Sequence, residues 1–360
     1  GCSLATICLP DEVNLLRRLE QAAPQNDAEP KRIRRLHPPR DDRIPVYVQE
    51  QGARVGIDGE VLVITTPKGD KTEARIPATS HVCLLGNVQI STQATRALFD
   101  RGISVSYFTT GGYFLGRASA RDHNNIELRI AQYRAADDPA CCLGLARTWT
   151  ASKIRNCRTL LRRNHADPSD VVLGELEQLA KKAEQATALE SLLGIEGSAA
   201  RVYFANFAGM LNADLGFDLN GRNRRPPLDP TNAMLSLAYA LLTKDFELAT
   251  SAAGLDPQRG FYHQPRFGKP ALALDLMEEF RPLLADSTVI GVINQQVVTK
   301  DDFTRHPTAV VLSPAGRRKF ILAYQRRLDQ LVAHPVFGYR ISYRSVLEIQ
   351  ARLLGRVLLG

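Results

Sequence analysis

One histidine and two acidic residues lie close together in the chain near position 270 and could do metal or acid–base chemistry. Among the seven histidines, only His263 lies near a dense acidic group. Asp275 and Glu278 are three residues apart, so a helix would present both carboxylates on one face. That predicted helix is otherwise apolar, and carboxylates on a largely buried helix are costly unless they are paired or bind a metal. Two plainer interpretations stay open: solvated acids on a surface helix, or an internal ion pair with Arg281.

Glu196 is a further acidic residue in an unusual setting. Gly194 and Gly197 flank it and small residues follow, which predicts a place in the first turn of a helix. The plainer interpretation is a capping or dipole feature, which is common for acids at a helix N-terminus. Together with His263, these acids form a set of carboxylates and one imidazole that suits Mg²⁺ or Mn²⁺. The set does not suit structural zinc, which prefers more Cys or His ligands. A site of this kind favours phosphodiester chemistry.

Basic residues are grouped in several runs in the C-terminal part of the chain. The chain has 46 Lys and Arg against 38 Asp and Glu, a formal net charge of +8 that is compatible with a polyanionic partner. The runs are Lys153, Arg155, Arg158, Arg162 and Arg163; Arg222, Arg224 and Arg225; Arg317, Arg318, Lys319, Arg326 and Arg327; and Arg340, Arg344, Arg352 and Arg356. A single run is commonly a solvated face. Several runs in the region that holds the acidic set favour a surface for nucleic-acid phosphates.

Short β segments fill the region before residue 124. Asp58-Gly59 separates two alternating apolar runs and predicts a hairpin. Further turns are predicted at 67–70 and at 109–112. A Ser cap and a terminal Gly predict one short helix over Ser91–Arg101. These signals predict a compact, mostly antiparallel β domain over residues 45–123.

Apolar residues beyond this region recur at three- and four-residue spacing, which predicts helices. The predicted helical segments are Ile126–Tyr133, Leu143–Leu161, Leu173–Leu193, a segment that opens at Ser313, and a C-terminal one that includes Val346–Val357. We therefore predict a helical catalytic domain over residues 124–360. The predicted fold class is α+β, with an N-terminal antiparallel β domain followed by an all-helical domain. Two domains are also what a length of 360 residues suggests.

The first 44 residues stand apart from the rest. Residues 21–44 are rich in Pro and charged residues and poor in apolar ones, which predicts a linker after a short piece at 1–20. Six cysteines in 360 residues are too sparse for a disulfide scaffold. We see no signal peptide and no uninterrupted run of roughly 18–20 apolar residues. The expectation is a cytoplasmic, prokaryotic protein without a membrane-spanning helix.

Four ordered motifs over residues 45–360 resemble those of the Cas1 family, the CRISPR-associated adaptation integrases that insert new spacers into CRISPR arrays. The motifs are Gly194–Phe204, Arg225–Ala233, His263 with Gly268–Pro282, and Gln350–Leu354. The resemblance implies that Glu196, His263 and Glu278 hold Mg²⁺ or Mn²⁺ and are catalytic. It implies that Asp275 is a further, supporting active-site acid. Some relatives have Asp where this chain has Glu278, which keeps the carboxylate but lengthens its reach.

The same resemblance implies a reaction and partners. A prespacer 3′-OH would attack a phosphodiester at the border of the CRISPR leader and repeat, in a transesterification that needs no ATP. Homodimers bridged by a Cas2 dimer would act on double-stranded DNA. We expect DNA contacts from Arg162, Arg163, Arg222, Arg224, Arg225 and Lys269. Two alternatives stay open: a general metal-dependent DNase acting on branched DNA, and a non-catalytic DNA-binding scaffold whose acids are structural.

The N-terminal segment, residues 1–20, resembles the C-terminal cysteine segment of Cas4, the iron–sulfur nuclease that trims new spacers. In that family four cysteines hold a [4Fe–4S] cluster, and Cys2 and Cys8 would be the last two. This resemblance implies the C-terminal part of a fusion whose exonuclease domain lies upstream. Two unrelated thiols are the plainer alternative.

Overall fold

The computed structural model describes residues 43–120, 125–219, 221–223, 226–263, 269–333 and 340–359. The predicted piece at 1–20 and all but the end of the predicted linker, with Cys2 and Cys8, lie outside the described residues. Arg224 and Arg225 lie outside them as well. The described chain has β sheets first and a mostly helical region afterwards, which confirms the predicted α+β class.

Two four-stranded sheets form the N-terminal unit, one ordered β1-β5-β7-β8 and the other β4-β3-β2-β6. The strands are β1 (Ile44–Val48), β2 (Arg54–Asp58), β3 (Val61–Thr65), β4 (Lys71–Arg75), β5 (Thr79–Leu85), β6 (Gln89–Ile90), β7 (Val105–Phe108) and β8 (Phe114–Ala118). The predicted hairpin at Asp58-Gly59 joins β2 to β3, with Asp58 opposite Val61. The predicted turns at 67–70 and 109–112 join β3 to β4 and β7 to β8.

Both sheets are mixed, so the prediction of a mostly antiparallel domain missed three parallel pairs. β1 pairs with β5, β5 with β7, and β2 with β6, all in parallel. Parallel strands need a crossover connection, and hairpin signals in a sequence report only strands that are consecutive. Helix α1 (Thr92–Asp100) lies in the crossover from β5 to β7. As predicted, the side chain of Ser91 caps it, accepting a hydrogen bond from the Ala94 amide.

Nine further helices follow among the described residues. They are α2 (Ile126–Ala136), α3 (Pro139–Asn164), α4 (Asp170–Gln185), α5 (Leu189–Ala205), α6 (Pro230–Ala252), α7 (Ala271–Met277), α8 (Ser287–Asn294), α9 (Pro314–Leu328) and α10 (Tyr343–Leu359). A π-helix, Arg281–Asp286, connects α7 to α8. Two short hairpins interrupt the predicted all-helical domain: β9 (Phe303–His306) with β10 (Ala309–Leu312), and β11 (Leu331–Ala333) with β12 (Arg340–Ser342).

The segment predicted as one helix over Leu173–Leu193 is two helices. The backbone of buried Ala186, just after α4, is extended, with φ −57° and ψ 136°. No Gly or Pro stands there to signal the break. Because α5 has already begun at Leu189, Glu196 lies in the middle of α5 and not in its first turn. The capping interpretation of Glu196 is therefore wrong.

One large apolar core fills the helical region, and a smaller one lies between the sheets of the β unit. Helices α3 and α5 pack together, and α7 packs on α6. Trp149 of α3 and Phe246 of α6 are fully buried in this core. The candidate site lies on these helices, at the edge of the large core. In the part of the chain that the structure describes, none of the helices is both long and apolar enough to cross a membrane.

Candidate active site

Glu278 follows directly after α7 and is almost completely buried, with 2% of its surface exposed. Its Oε2 lies 2.6 Å from Nζ of Lys153, and its Oε1 lies 2.8 Å from a guanidinium nitrogen of Arg281. Neither oxygen has a hydrogen-bond partner of good geometry among the described residues. Two ion pairs therefore neutralise this carboxylate while its lone pairs stay poorly satisfied. The internal pair with Arg281, one of the plainer interpretations, is observed, and the solvated surface helix is wrong.

Glu196 faces Glu278 from α5 and shares a partner with it. Oε1 of Glu196 accepts a hydrogen bond from Nζ of Lys153, and Oε2 accepts one of 2.5 Å from the hydroxyl of Tyr262. Burial raises the pKa of Glu196, but Lys153 and the Tyr262 hydroxyl outweigh burial and hold that pKa at about 2. Glu196 is therefore ionised throughout the physiological range, as a cation ligand must be.

Lys153 joins the two carboxylates. The sequence analysis predicts Lys153 as part of a basic run that could bind phosphates, yet its side chain turns inward from α3 and is only 14% exposed. Burial lowers the pKa of Lys153, but the charges of Glu278 and Glu196 outweigh burial and raise it. One ammonium nitrogen thus stands between two acids that come from different helices.

Asp275 holds His263 in a fixed orientation. Asp275 is 0% exposed, and its Oδ1 accepts from the His263 amide at 2.8 Å and contacts the ring Nδ1 at 2.7 Å. Its Oδ2 accepts from the amides of Phe261 and Tyr262 at 2.7 and 3.0 Å. An Nδ1–H that donates to Asp275 leaves the lone pair of the neutral ring on Nε2. That Nε2 lies 3.8 Å from Oε1 of Glu278.

The pKa of His263 follows from the same contacts. Burial lowers the pKa of His263, but the hydrogen bond to Asp275 and the charge of Glu278 outweigh burial and raise it. Asp275 therefore shapes the site by holding the imidazole and the preceding loop, with both of its oxygens already used. The supporting role that the family resemblance implies for Asp275 stays a prediction.

The donor set fits a hard divalent cation in its chemistry. In this conformation, no group of three or more His, Cys, Asp or Glu among the described residues is arranged to hold a metal ion. The nitrogen of Lys153 contacts both Glu196 and Glu278. The poorly satisfied oxygens of Glu278, the ionised Glu196 and the Nε2 of His263 are the ligand types that Mg²⁺ and Mn²⁺ accept.

A cavity of about 270 Å³ adjoins Glu196 and is lined by Lys153, Glu196, Tyr203, Tyr239 and Asp286, among others. Asp286 ends the π-helix and accepts hydrogen bonds from the Tyr203 hydroxyl at 2.9 Å and the Tyr239 hydroxyl at 2.8 Å. Burial raises the pKa of Asp286 to about 6, although the two hydroxyls oppose it. Sequence reasoning missed this carboxylate, since a single acid in an apolar run has no diagnostic spacing.

The residues predicted to contact DNA have different environments. Arg162 and Arg163 are exposed in the last turn of α3, and Lys269 is exposed just before α7. Arg222 is half-buried, bonds to the Asn223 carbonyl at 2.8 Å and lies over the Tyr239 ring, 5.1 Å from its centroid. The described part of the loop therefore holds Arg222 in place.

The remaining members of the α3 run face acids on the neighbouring helix. Arg155 pairs with Glu184 at 2.7 Å and Arg158 with Glu177 at 3.5 Å. The plainer interpretation, an ion-paired helix face, is thus observed for these two arginines.

Comparisons with known proteins agree on one family. A family model described as CRISPR associated protein Cas1 matches residues 46–326. A CRISPR-associated exonuclease Cas4/endonuclease Cas1 fusion from Geobacter sulfurreducens is 47% identical, over 100% of this chain and 64% of that protein. A CRISPR-associated endonuclease Cas1 from Thermus thermophilus is 38% identical, over 88% of this chain and 94% of that protein. The chain thus spans less than two thirds of the length of the fusion it matches.

Solved structures share the fold. A Cas1 protein from Thermotoga maritima superimposes with a TM-score of 0.77 at 22% identity, covering 88% of this chain and 97% of that chain. A chain of a Cas6-RT-Cas1–Cas2 complex gives a TM-score of 0.76 at 27% identity, covering 88% of this chain and 35% of that chain. The matched family, the identity to its members and the shared fold confirm the resemblance seen in the motifs: this chain belongs to the Cas1 family.

Proposed function

We propose that this chain is a metal-dependent DNA integrase and endonuclease of CRISPR adaptation. In this proposal it joins prespacer 3′-OH ends to the CRISPR leader–repeat by transesterification. One observation carries the proposal: Glu196 and Glu278, from separate segments of a Cas1 fold, contact the same nitrogen of Lys153, and Nε2 of His263 lies 3.8 Å from Oε1 of Glu278.

Each residue of the site has a role that its contacts support. Glu196 and Glu278 would hold Mg²⁺ or Mn²⁺ through carboxylate oxygens, and His263 through Nε2. The bound cation would supply Lewis-acid stabilisation of charge on the phosphoryl oxygens. Asp275 keeps the imidazole in the tautomer that leaves Nε2 free to bind. Arg281, next to Glu278, adds a fixed positive charge where phosphoryl oxygens would lie.

The joining step is balanced without an energy source. The 3′-hydroxyl gives up its proton as its oxygen forms a bond to the target phosphorus. The bond from that phosphorus to the neighbouring 3′-oxygen breaks, and the released oxygen takes up a proton to become a new 3′-hydroxyl. The number of phosphodiesters is conserved, so no ATP is needed. Hydrolysis by the same site would use water in place of the 3′-hydroxyl, which is the general DNase alternative.

The proposed partners rest on relatives and on charge. We propose that the exposed Arg162, Arg163 and Lys269 bind the DNA backbone without reading sequence. The complex cited above contains Cas2, which supports Cas2 as a partner, and we propose that a Cas2 dimer bridges Cas1 dimers. The match to Cas4/Cas1 fusions supports a Cas4 domain in the same polypeptide, whose [4Fe–4S] cluster would use Cys2 and Cys8. A cytoplasmic location follows for a protein that acts on genomic DNA.

A strand-transfer assay tests the proposal. A labelled 3′-OH duplex is incubated with a plasmid that carries leader and repeat, with Mg²⁺, with Mn²⁺ and with EDTA. Joining should require the cation and should vanish in Glu196→Gln and His263→Ala. Glu190→Gln, which changes an exposed acid on the same helix, is the matched control and should join normally.

Each alternative predicts a different result in this assay. Cleavage without joining would favour the general DNase. DNA binding without cation-dependent chemistry would favour the scaffold. Normal joining by Glu196→Gln and His263→Ala would show that the assigned site is wrong.

A further inference from the structure

We propose that Lys153 is a resident cation of this site, which holds Glu196 and Glu278 together when no metal is bound and must leave when one binds. The inference rests on the proposed function in one respect, namely that these two carboxylates are metal ligands. It adds an exchange between a protein ammonium and a divalent cation. Metal affinity would then be set partly by Lys153, which is not itself a ligand.

The contacts of Lys153 carry the proposal. Its Nζ lies 2.6 Å from Oε2 of Glu278 and is hydrogen-bonded to Oε1 of Glu196, so one nitrogen touches both proposed ligands. An ammonium and a divalent cation are both held by carboxylate oxygens at close range, so both cannot occupy the space between the same two oxygens.

The charges around Lys153 point the same way. Glu196 and Glu278 bring two negative charges, and Lys153 and Arg281 bring two positive ones, so these four side chains balance. A divalent cation added beside an unmoved Lys153 would leave an excess of positive charge in a buried site, where like charges repel strongly. Departure of Lys153 restores much of the balance.

A cavity beside Glu196 can accommodate the Lys153 side chain after it leaves the two carboxylates. Lys153 itself lines the cavity of about 270 Å³, and so does Asp286, which lies far from Lys153 in the sequence. A four-carbon side chain with rotatable bonds can turn into that space while α3 stays in place. Lys153 therefore can leave the acidic pair without unfolding the core.

Removing the ammonium should strengthen metal binding and weaken the metal-free protein. In Lys153→Met, a side chain of similar length lacks the charge, so Glu196 and Glu278 lose a shared partner and repel each other. We expect Mn²⁺ to bind Lys153→Met roughly tenfold tighter or more, the scale of one lost charged hydrogen bond. The metal-free variant should melt at a lower temperature than wild type and gain more from saturating Mn²⁺.

The test titrates EDTA-treated protein with Mn²⁺ by calorimetry, with melting curves at zero and saturating Mn²⁺. Lys181→Met, which removes an exposed lysine on α4, is the matched control and should bind Mn²⁺ like wild type. If wild type binds Mn²⁺ and Lys153→Met binds it equally or more weakly, the exchange is refuted while the metal site stands. If neither protein binds Mn²⁺, the metal site fails and the inference fails with it.

A second measurement uses only wild-type protein, in case Lys153→Met does not fold without metal. Acetylation of lysines by an N-hydroxysuccinimide ester, read by mass spectrometry, reports how accessible each amine is. Acetylation of Lys153 should rise on addition of Mn²⁺, because the amine is then released from its ion pairs with Glu196 and Glu278, while acetylation of Lys181 stays constant. Unchanged acetylation of Lys153 at Mn²⁺ concentrations that saturate the protein would overturn the proposal.

Discussion

Replacing Asp275 by Asn should destabilise the protein and loosen its histidine at the same time. The carboxylate is 0% exposed and is contacted by three backbone amides and the His263 ring nitrogen. Asn has nearly the same shape, but one of its two oxygens becomes an NH₂ group, which donates and cannot accept. If the NH₂ faces Phe261 and Tyr262, both of those backbone amides lose their acceptor. If it faces His263, the His263 amide loses its acceptor and the ring must take the other tautomer, with Nδ1 accepting.

The size of the effect follows from the number of donors left without an acceptor, which is one or two. Each buried group left without a partner costs about 1–3 kcal/mol, so Asp275→Asn should lose about 1–6 kcal/mol of unfolding free energy. Single domains are stable by only about 5–15 kcal/mol, so the loss should be easy to measure. Release of His263 from its partner should also weaken Mn²⁺ binding by about 10–100-fold.

Urea denaturation followed by circular dichroism measures the first effect, and Mn²⁺ calorimetry measures the second. Glu279→Gln is the matched control, since Glu279 is a buried carboxyl only four residues away. Burial disfavours the charged form of Glu279 and raises its pKa well above its usual range. Gln has nearly the same shape and no charge, so this substitution should lower stability by less than about 1 kcal/mol. Asp275→Asn unfolding at the wild-type urea midpoint, with an unchanged slope, would refute the reasoning.

Two further predictions concern a buried acid and a close backbone contact. Burial raises the pKa of Asp286 to about 6 from 3.8, so its contribution to stability is present below about pH 4 and is lost as the pH rises through 6. Urea melts should show Asp286→Asn gaining about 3 kcal/mol relative to wild type between pH 4 and pH 7; a constant difference would contradict this. A Cβ on Gly260 would lie 2.7 Å from Oδ2 of Asp275 and 2.8 Å from the carbonyl carbon of Ala271. Gly260→Ala should therefore cost about 1–3 kcal/mol in thermal melts, whereas Gly194→Ala, with open space on α5, should not destabilise; equal effects would contradict the argument.

Local signals in the sequence were sufficient where neighbours in the chain decide the outcome. Asp58-Gly59 predicted its hairpin and Ser91 its helix cap, since both depend on backbone geometry within a few residues. Local signals failed at Ala186, where buried packing ends a helix without a Gly or Pro. They also failed for the parallel strand pairs, because those pairs join segments that are far apart in the chain.

In the candidate site too, some residues could be found from the sequence and one could not. Glu196, His263, Asp275 and Glu278 could be selected from the sequence, because their residue types and spacing are unusual for apolar helices. The position of Lys153 could not, since it stands in a basic run whose other members pair on the surface or lie exposed.

The sequence by itself determined which residue types this Cas1 chain offers for chemistry, the order of its β and helical parts, and its excess of positive charge. Only the tertiary structure decided which of those charges meet. Packing of α3 against α5 brings Lys153 to Glu196, and the end of α7 brings Glu278 to the same nitrogen. The physical reason is that a buried charge must be neutralised by whatever group the fold places within a few ångströms, and distance along the chain does not reveal which group that is.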